Sequence, residues 1–173
     1  MLAKILFGVV GFIALLLVIA LFVKKDYNVE REITIAKPRK EVFDYLKHLK
    51  NQDYYNKWVM MDPKMKKEYR GTDGTTGFVY SWDSEEAGKG EQEIKSISEG
   101  ERLDLEIRFK EPYESIAKVP FVVEEVSADQ TKVKWGMQGT SPYPMNLMNL
   151  FIDNLLGKDL ETSLATLKSN LEK

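Results

Sequence analysis

Few residues in this sequence could carry acid–base or metal chemistry. His48 is the only histidine, cysteine is absent, and the other candidates for moving a proton are Tyr54, Tyr80 and Glu125. A general base needs a positioned partner, and the spacing of these residues indicates no pair. Zinc sites use several histidine or cysteine ligands, and the acidic residues lack the spacing of a calcium loop. The sequence therefore predicts no catalytic residue, no metal site and no cofactor.

Three glycines in the stretch GTDGTTG, at positions 71, 74 and 77, could suggest a phosphate-binding loop. Such a loop needs a Lys-Ser/Thr pair after it and a helix N-terminus that faces the phosphate. Neither follows here, because Phe78 to Ser84 has the alternation of a strand. We interpret the segment as a flexible, turn-rich loop.

The segment YYNKWVMMDP, from Tyr54 to Pro63, is too broken for a strand and too short for a helix, yet it is strongly apolar. Loops normally lie at the surface, where Trp58, Met60 and Met61 would gain nothing from water. These side chains therefore cover either the ordinary protein core or a bound ligand. Methionine is flexible and aromatic rings are large, a combination suited to loosely specified apolar ligands.

Hydrophobic periodicity predicts an α+β domain with its helices on one side of an antiparallel sheet. Residues 27–36 alternate as a strand, and residues 37–51 follow as an amphipathic helix. The middle of the chain then alternates as a meander of about six strands. A long helix closes the chain, with an apolar stripe that advances by three or four residues through Met148, Ile152, Leu156, Leu160, Leu164, Leu167 and Leu171.

The N-terminus has the length and composition of a transmembrane helix. Ile5 to Val23 carries no charge, and at about 1.5 Å per residue it spans roughly 28 Å, close to one hydrocarbon core. We predict a single-pass anchor, residues 1–25, and one domain, residues 26–173; a cleavable signal peptide is the alternative. Lys4 nearly balances the lysines after the run, so the side of the domain stays open, and we expect it outside the cytoplasm.

Three local patterns resemble the START/SRPBCC superfamily, whose helix-grip fold also occurs in the birch pollen allergen, polyketide cyclases and lipid-transfer domains. ITIAKPRKEVFDYL resembles its opening strand, turn and first helix, and NQDYYNKWVMMDP resembles the tryptophan-containing segment that follows. LGKDLETSLATLKSNLEK resembles its closing helix. The resemblance covers roughly residues 27 to 173 and implies a curved sheet of about six to seven strands wrapped around the long C-terminal helix.

The resemblance also implies a deep cavity between the sheet and the terminal helix, with the glycine loop at its rim. The side chains that we expect to contact a ligand are mostly apolar: Trp58, Met60, Met61, Tyr80, Trp82, Leu105, Ile107, Trp135, Met137, Met148 and Ile152. Arg31 and Glu125 have the parity of otherwise apolar strand faces, so a pair of them in the cavity could bind an acidic or polar head group. The alternatives are that the apolar set fills an ordinary core and that the two charges are solvated.

Three functions fit these features. The first is a membrane-tethered domain that binds a hydrophobic or amphipathic small molecule or a lipid. The second is an enzyme of the polyketide cyclase/dehydratase kind that uses the same cavity, and the third is an interaction module similar to chaperone activators. Nucleic acid is not an expected partner, because the net charge is −2 and such binding requires a strongly basic face. Protein partners are unknown.

Overall fold

The structure, a computed structural model, describes residues 2–173. Its elements are helix α1 (Leu2–Phe22), strand β1 (Asp26–Ile35), helix α2 (Arg39–Lys47), the 3₁₀ segment η1 (Leu49–Tyr54), helix α3 (Lys57–Met60), strands β2 (Lys66–Arg70), β3 (Val79–Ser84), β4 (Gly88–Ser98), β5 (Arg102–Glu111), β6 (Ser115–Ser127) and β7 (Gln130–Thr140), the 3₁₀ segment η2 (Met145–Leu150) and helix α4 (Ile152–Leu171).

The seven strands form one antiparallel sheet in the order β1-β7-β6-β5-β4-β3-β2. Six of them follow one another as a meander, and the first strand of the chain pairs with the last. Inward residues of neighbouring strands are directly opposite each other: Val29 is opposite Met137, and Ile33 is opposite Val133. This arrangement confirms the predicted α+β helix-grip fold.

The core lies between the inner face of the sheet and helices α2 and α4. Val42, Phe43 and Leu46 are buried on α2, and Leu160, Leu164, Leu167 and Leu171 are buried on α4. These positions recur at three- and four-residue spacing, which puts them on one face of each helix. The amphipathic pattern of the sequence therefore determines which face of each helix covers the sheet.

The predicted helix starting near Met148 was wrong in its first turn. Met148 belongs to η2, and α4 begins only at Ile152. Two asparagines of η2 bind backbone carbonyls outside their own segment, and side chains that do so compete with regular helix formation. As a result Met148 is exposed instead of lying on the buried stripe.

Helix α1 is held against η2 at its C-terminal end. The Asn146 side-chain amide donates to the carbonyls of Ala20 at 2.7 Å and Val23 at 2.8 Å. The Asn149 amide donates to the carbonyls of Lys24 at 3.0 Å and Lys25 at 2.8 Å. The last carbonyls of a helix have no partner within it, so these amides satisfy the end of α1. Residues 4–22 are long and apolar enough to cross a membrane, a test that a signal sequence also passes.

The glycine loop does not lie at a cavity rim, in contrast to the prediction. The Asp73 carboxylate accepts hydrogen bonds from the backbone N–H groups of Leu49, at 2.8 Å, and Lys50, at 3.3 Å. A Cβ atom added to Gly74 would lie 2.7 Å from the His48 ring. The loop therefore packs on η1 as a cap for its first turn, because its short side chains let it approach closely.

Gly88, the first residue of β4, follows the turn after β3 and has a backbone conformation that a substitution can test. Its φ is +67°, and an added Cβ would collide with the carbonyl oxygen of Glu111. Gly77 has φ +86° but nothing within 4 Å of an added Cβ. We expect Gly77→Ala to lower the free energy of unfolding by about 1–2 kcal/mol and Gly88→Ala by roughly 3 kcal/mol or more. Thermal unfolding of the full chain in detergent micelles measures both, and equal losses would contradict the predicted collision.

Candidate ligand-binding cavity

A cavity of about 260 Å³ lies under η1 and α3, against β3, β4 and β5 and the start of α4. It is lined mainly by aliphatic, aromatic and methionine side chains, with a few polar ones: Gln52, Asn56, Trp58, Val59, Met61, Met65, Tyr80, Trp82, Glu86, Ala87, Gln92, Ile107, Phe109, Met137 and Leu156. The volume is slightly below the range of about 300–1,000 Å³ that is usual for small-molecule sites.

The strand register brings the sheet residues of this lining together. Tyr80 on β3 is directly opposite Gln92 on β4, and Gln92 is directly opposite Ile107 on β5. Residues directly opposite each other project from the same face of a sheet. Trp82 lies across Gly90, where an added Cβ would be 2.5 Å from the indole ring. The missing side chain at Gly90 therefore makes the space that the indole occupies beside the cavity.

Three amide side chains form a buried polar cluster at one end of the cavity. Gln52 Oε1 accepts hydrogen bonds at 2.9 Å from the amides of both Gln92 and Asn56. The Gln52 amide in turn donates to Gln92 Oε1 at 3.3 Å, and Asn56 Oδ1 accepts from the backbone N–H of Trp58 at 3.0 Å. A primary amide nitrogen carries two N–H donors. The contacts above use one donor of each amide, so each has one N–H left. The cluster is neutral and has donor capacity for a ligand oxygen.

Sequence reasoning missed this cluster. The stretch GEQEIKSISE predicts a polar strand, and no signal singled out Gln52 or Asn56. Gln92 could have been found, because it has the parity of Ile94, which is fully buried, and alternate strand residues share a face. Gln52 and Asn56 lie in η1 and just before α3, where short irregular elements have no such period.

The other end of the cavity is its mouth, where the lining becomes partly exposed. Met61 is 46% exposed, and Ala87, Phe109 and Leu156 are half-buried. Glu86 is exposed beside them. An apolar mouth with one charge at its edge therefore leads inward to the amide cluster.

Six of the predicted ligand-contacting residues line this cavity: Trp58, Met61, Tyr80, Trp82, Ile107 and Met137. Leu105 and Trp135 lie in the packed core instead. Leu105 lies two residues before Ile107 on β5 and is not part of the cavity lining. Trp135 is stacked on Phe121 with ring centroids 4.7 Å apart, and it contacts Tyr55 and Trp58 edge-on.

Three more predicted residues lie outside the lining. Met60 is 48% exposed on the outer side of α3, because the helical turn there points Met60 and Met61 in different directions. Met148 is 52% exposed on η2. Ile152, half-buried, packs against the core at the first residue of α4.

Arg31 and Glu125 do not meet, which corrects the predicted pair in the cavity. Arg31 Nε donates to Glu161 Oε1 at 2.7 Å, and its Nη atoms contact the Asp153 carboxylate at 3.0 Å. The Arg31 guanidinium thereby lowers the pKa of Asp153. Glu125 faces Arg39 at 3.7 Å. Charged groups near solvent pair where both remain hydrated, since burial would remove that hydration.

Gly157 explains how Arg31 reaches those carboxylates. The guanidinium lies directly over this glycine of α4, and an added Cβ would collide with Nη2 of Arg31. Glycine inside a helix costs about 1 kcal/mol relative to alanine. The close approach of β1 to α4 accounts for it.

Among the described lining residues, the titratable groups are Tyr80 and Glu86. The Tyr80 hydroxyl donates to Met65 Sδ at 3.6 Å, and burial raises the pKa of this phenol well above its ordinary value. Tyr80 is therefore a neutral hydrogen-bonding group at neutral pH and not a proton acceptor. His48 is outside the cavity, beside Asp73 and Gly74.

Solved structures with similar architecture share little sequence with this chain. A point mutant of norcoclaurine synthase from Thalictrum flavum, in complex with a transition-state analogue, has a TM-score of 0.66 at 8% identity and covers 84% of this chain and 94% of its own. A protein from Chromobacterium violaceum has a TM-score of 0.61 at 11% identity, with 84% and 97% covered. DynU16, from the dynemicin biosynthetic locus, has a TM-score of 0.59 at 14% identity, with 84% and 47% covered.

No protein-family model matches the chain, and neither does any curated protein. At such low identity the likeness to solved structures shows the fold alone. Together with the sheet order and the covering C-terminal helix, it shows that the chain has the helix-grip fold.

Substitution of Trp135 tests whether this side chain packs in the core or lines the cavity. We expect Trp135→Ala to lower the free energy of unfolding by about 3–5 kcal/mol, because it empties a fully packed site. Trp58→Ala should cost clearly less, since Trp58 is half-buried and borders the cavity. Chemical unfolding of the full chain in detergent, followed by circular dichroism, compares the two. A smaller loss for Trp135→Ala than for Trp58→Ala would be evidence against the core assignment.

Proposed function

We propose that this protein is a membrane-tethered binding protein for a small amphipathic molecule or a lipid. In this proposal residues 1–25 anchor the chain as a single-pass helix, residues 26–173 form the binding domain, and the ligand occupies the cavity under η1 and α3. The observation that carries the proposal is an apolar cavity that ends in a neutral, buried amide cluster.

The lining supports an apolar body for the ligand. Burying apolar surface contributes roughly 25 cal/mol per Å², and the walls are methionine, aromatic and aliphatic side chains. The volume of about 260 Å³ accommodates a small molecule or one end of a longer one. A longer apolar chain would continue outward through the mouth, which is open beside Met61 and Leu156.

The inner end supports a neutral, oxygen-bearing head group. The spare N–H donors of Gln52, Gln92 and Asn56 suit a hydroxyl, ester or amide oxygen. A buried charge needs a charged or strongly polar partner to offset its lost hydration, and no lysine or arginine is among the described lining residues. A carboxylate or phosphate at this end is therefore disfavoured.

Binding is favoured over the cyclase-like alternative by the chemistry of the lining. A proton-transfer enzyme needs an acid or base within hydrogen-bond reach of the reacting group. Tyr80 is committed to Met65 and keeps its proton, and Glu86 is exposed at the mouth, away from the amide cluster. The interaction-module alternative has less support, because the outer sheet face carries a charged network around Arg108, with Glu91, Glu93 and Glu106.

Adjacent methionines provide a matched test of where the ligand binds. Met60 and Met61 have nearly equal exposure, 48% and 46%, but only Met61 lines the cavity. We expect Met61→Glu to weaken retention of an apolar lipid about tenfold or more, because the carboxylate would lose water as the ligand covers it. Met60→Glu should have no effect. Native mass spectrometry of the full chain, released from detergent micelles after incubation with a lipid extract, measures retention; equal losses would rule out this cavity as the site.

The proposed role of the amide cluster predicts that the cavity prefers a ligand with an oxygen-bearing head group. The double variant Gln52→Leu/Gln92→Leu replaces both glutamines with apolar groups of similar shape; it also leaves the Asn56 amide without its Gln52 acceptor, so unfolding of the variant is measured alongside binding. We expect it to bind a medium-chain alcohol roughly tenfold more weakly while binding the matching alkane unchanged. Calorimetric titration with both ligands compares the two. A parallel loss for alcohol and alkane would mean that the amides only shape the cavity.

A further inference from the structure

The cavity lies at the same end of the sheet as helix α1. Tyr27, one residue after the start of β1, is directly opposite Gly139, and this cross-strand row continues through Ala117 and Ile107 to Gln92. Ile107 and Gln92 both line the cavity. Neighbouring strands are about 4.8 Å apart, so β1 and β5 are separated by roughly 14 Å in the sheet. The cavity is therefore close to the point where the chain leaves α1.

The contacts of η2 fix the orientation of α1 on the domain. Asn146 is buried, and its amide and that of Asn149 bind the final carbonyls of α1. Ala20, which faces η2, is only 1% exposed, whereas its neighbour Leu21 is 67% exposed. The hydroxyl of Tyr143 reaches the carbonyl of Leu17 at 3.4 Å. Helix and domain thus form one continuous body at this point, without a loose linker.

Exposed apolar side chains surround this junction, and Asp153, an exposed carboxylate paired with Arg31, lies between Phe151 and Leu155 in the sequence. The residues from Ser141 to Ile152 include no charged side chain. The exposed apolar side chains of this segment, together with one from the next turn of α4, are called the junction patch: Tyr143, Met145, Met148, Leu150, Phe151 and Leu155. Phe151 is 58% exposed and Leu155 57% exposed. A group of exposed apolar side chains of this kind is typical of a contact with a membrane or another molecule.

The position of the junction patch along α1 matches the depth of an interfacial segment. Tyr143 contacts Leu17, which is six residues before Val23, or roughly 9 Å along the helix axis. Interfacial helices bury their apolar face about 5–10 Å into the head-group boundary, and tyrosine is enriched at that level. Lys24 and Lys25 follow immediately, where charged side chains meet the head groups.

The junction patch lies beside the cavity mouth. Leu155 belongs to the patch, and its neighbour Leu156 lines the mouth. Both are in the first turns of α4, directly after η2. A leaflet that covers the patch would therefore border the mouth as well.

We propose that the junction patch lies in the leaflet from which α1 emerges and holds the cavity mouth against that leaflet, so that the ligand passes between bilayer and cavity without crossing water. This inference rests on the proposed membrane span of α1 and deepens the proposed function by naming the source of the ligand. The occupant of the patch is the head-group region of the bilayer.

Single cysteines test the proposal cleanly, because the chain has none of its own. An environment-sensitive NBD fluorophore is attached to Met148→Cys and Phe151→Cys in the patch, to Ile13→Cys in α1 and to Asp129→Cys. Asp129 is exposed in the β6–β7 turn, at the opposite end of the sheet. The full chain is reconstituted in phosphatidylcholine/phosphatidylglycerol vesicles, and quenching by nitroxide-labelled lipid is compared with quenching by aqueous iodide.

We expect the labels on Met148→Cys and Phe151→Cys to be quenched by the lipid nitroxide to the same extent as Ile13→Cys and shielded from iodide, with the opposite result for Asp129→Cys. Iodide quenching of both patch labels at the level of Asp129→Cys, with Ile13→Cys still quenched by lipid, would overturn this inference and leave the tether intact. Patch labels shielded from both quenchers would also overturn it, since another protein surface would then cover the patch. Loss of lipid quenching at Ile13→Cys would remove the membrane span, and the inference with it.

Discussion

The attachment of α4 to β1 is the constraint on which the cavity depends. Arg31 of β1 pairs with Asp153 in the first turn of α4 and with Glu161 in the middle of the helix. At its end, Lys168 donates to the Thr34 carbonyl at 2.6 Å. Such exposed contacts contribute little to stability, whereas each buried leucine of α4 contributes about 1.5–3 kcal/mol. Apolar burial therefore holds the helix on the sheet, and the polar contacts select its position over β1.

With α4 held over β1, the strands at the other side of the sheet need a different cover. Over β3, β4 and β5 that cover is η1 and the single turn of α3, which contribute Trp58 and Met61 to the cavity wall. Protein interiors are normally packed as densely as organic crystals, but short irregular elements present fewer side chains per area than a long helix does. The space left beneath them is bounded by Gln52 and Gln92, which bind each other instead of filling it.

The sequence predicts the fold well and the cavity only in part. Alternation in β1 and β5 and the stripe on α4 indicate which faces are buried, because those faces repeat with a regular period. Trp58, Met61 and Tyr80 were predicted in the lining from their type and position. Leu105 and Trp135 share the type and parity of true lining residues, so only the register distinguishes them.

Charged and polar residues were predicted least well, for a different physical reason. The partners of Arg31 are more than a hundred positions away, and the Gln52–Gln92 bond joins two elements that are distant in sequence. No local pattern encodes such pairs, because a charged or amide group is equally compatible with solvent and with a distant partner. Asn146 is a further example, because nothing in the sequence around it indicates that its amide binds a carbonyl at the end of α1.

The polarity of the cavity and the proposed position of the membrane, taken together, imply a direction of entry for the proposed ligand. In a leaflet the polar head of an amphipathic molecule lies nearest the protein domain, and its apolar tail points towards the bilayer centre. If the mouth borders the head groups, the head enters first and reaches the amides of Gln52, Gln92 and Asn56, while the tail follows into the apolar mouth. A cavity of about 260 Å³ need not enclose a long tail, because its end can remain in the leaflet, where it loses no apolar burial. The small volume is thus consistent with a lipid ligand as long as the mouth and the bilayer are in contact.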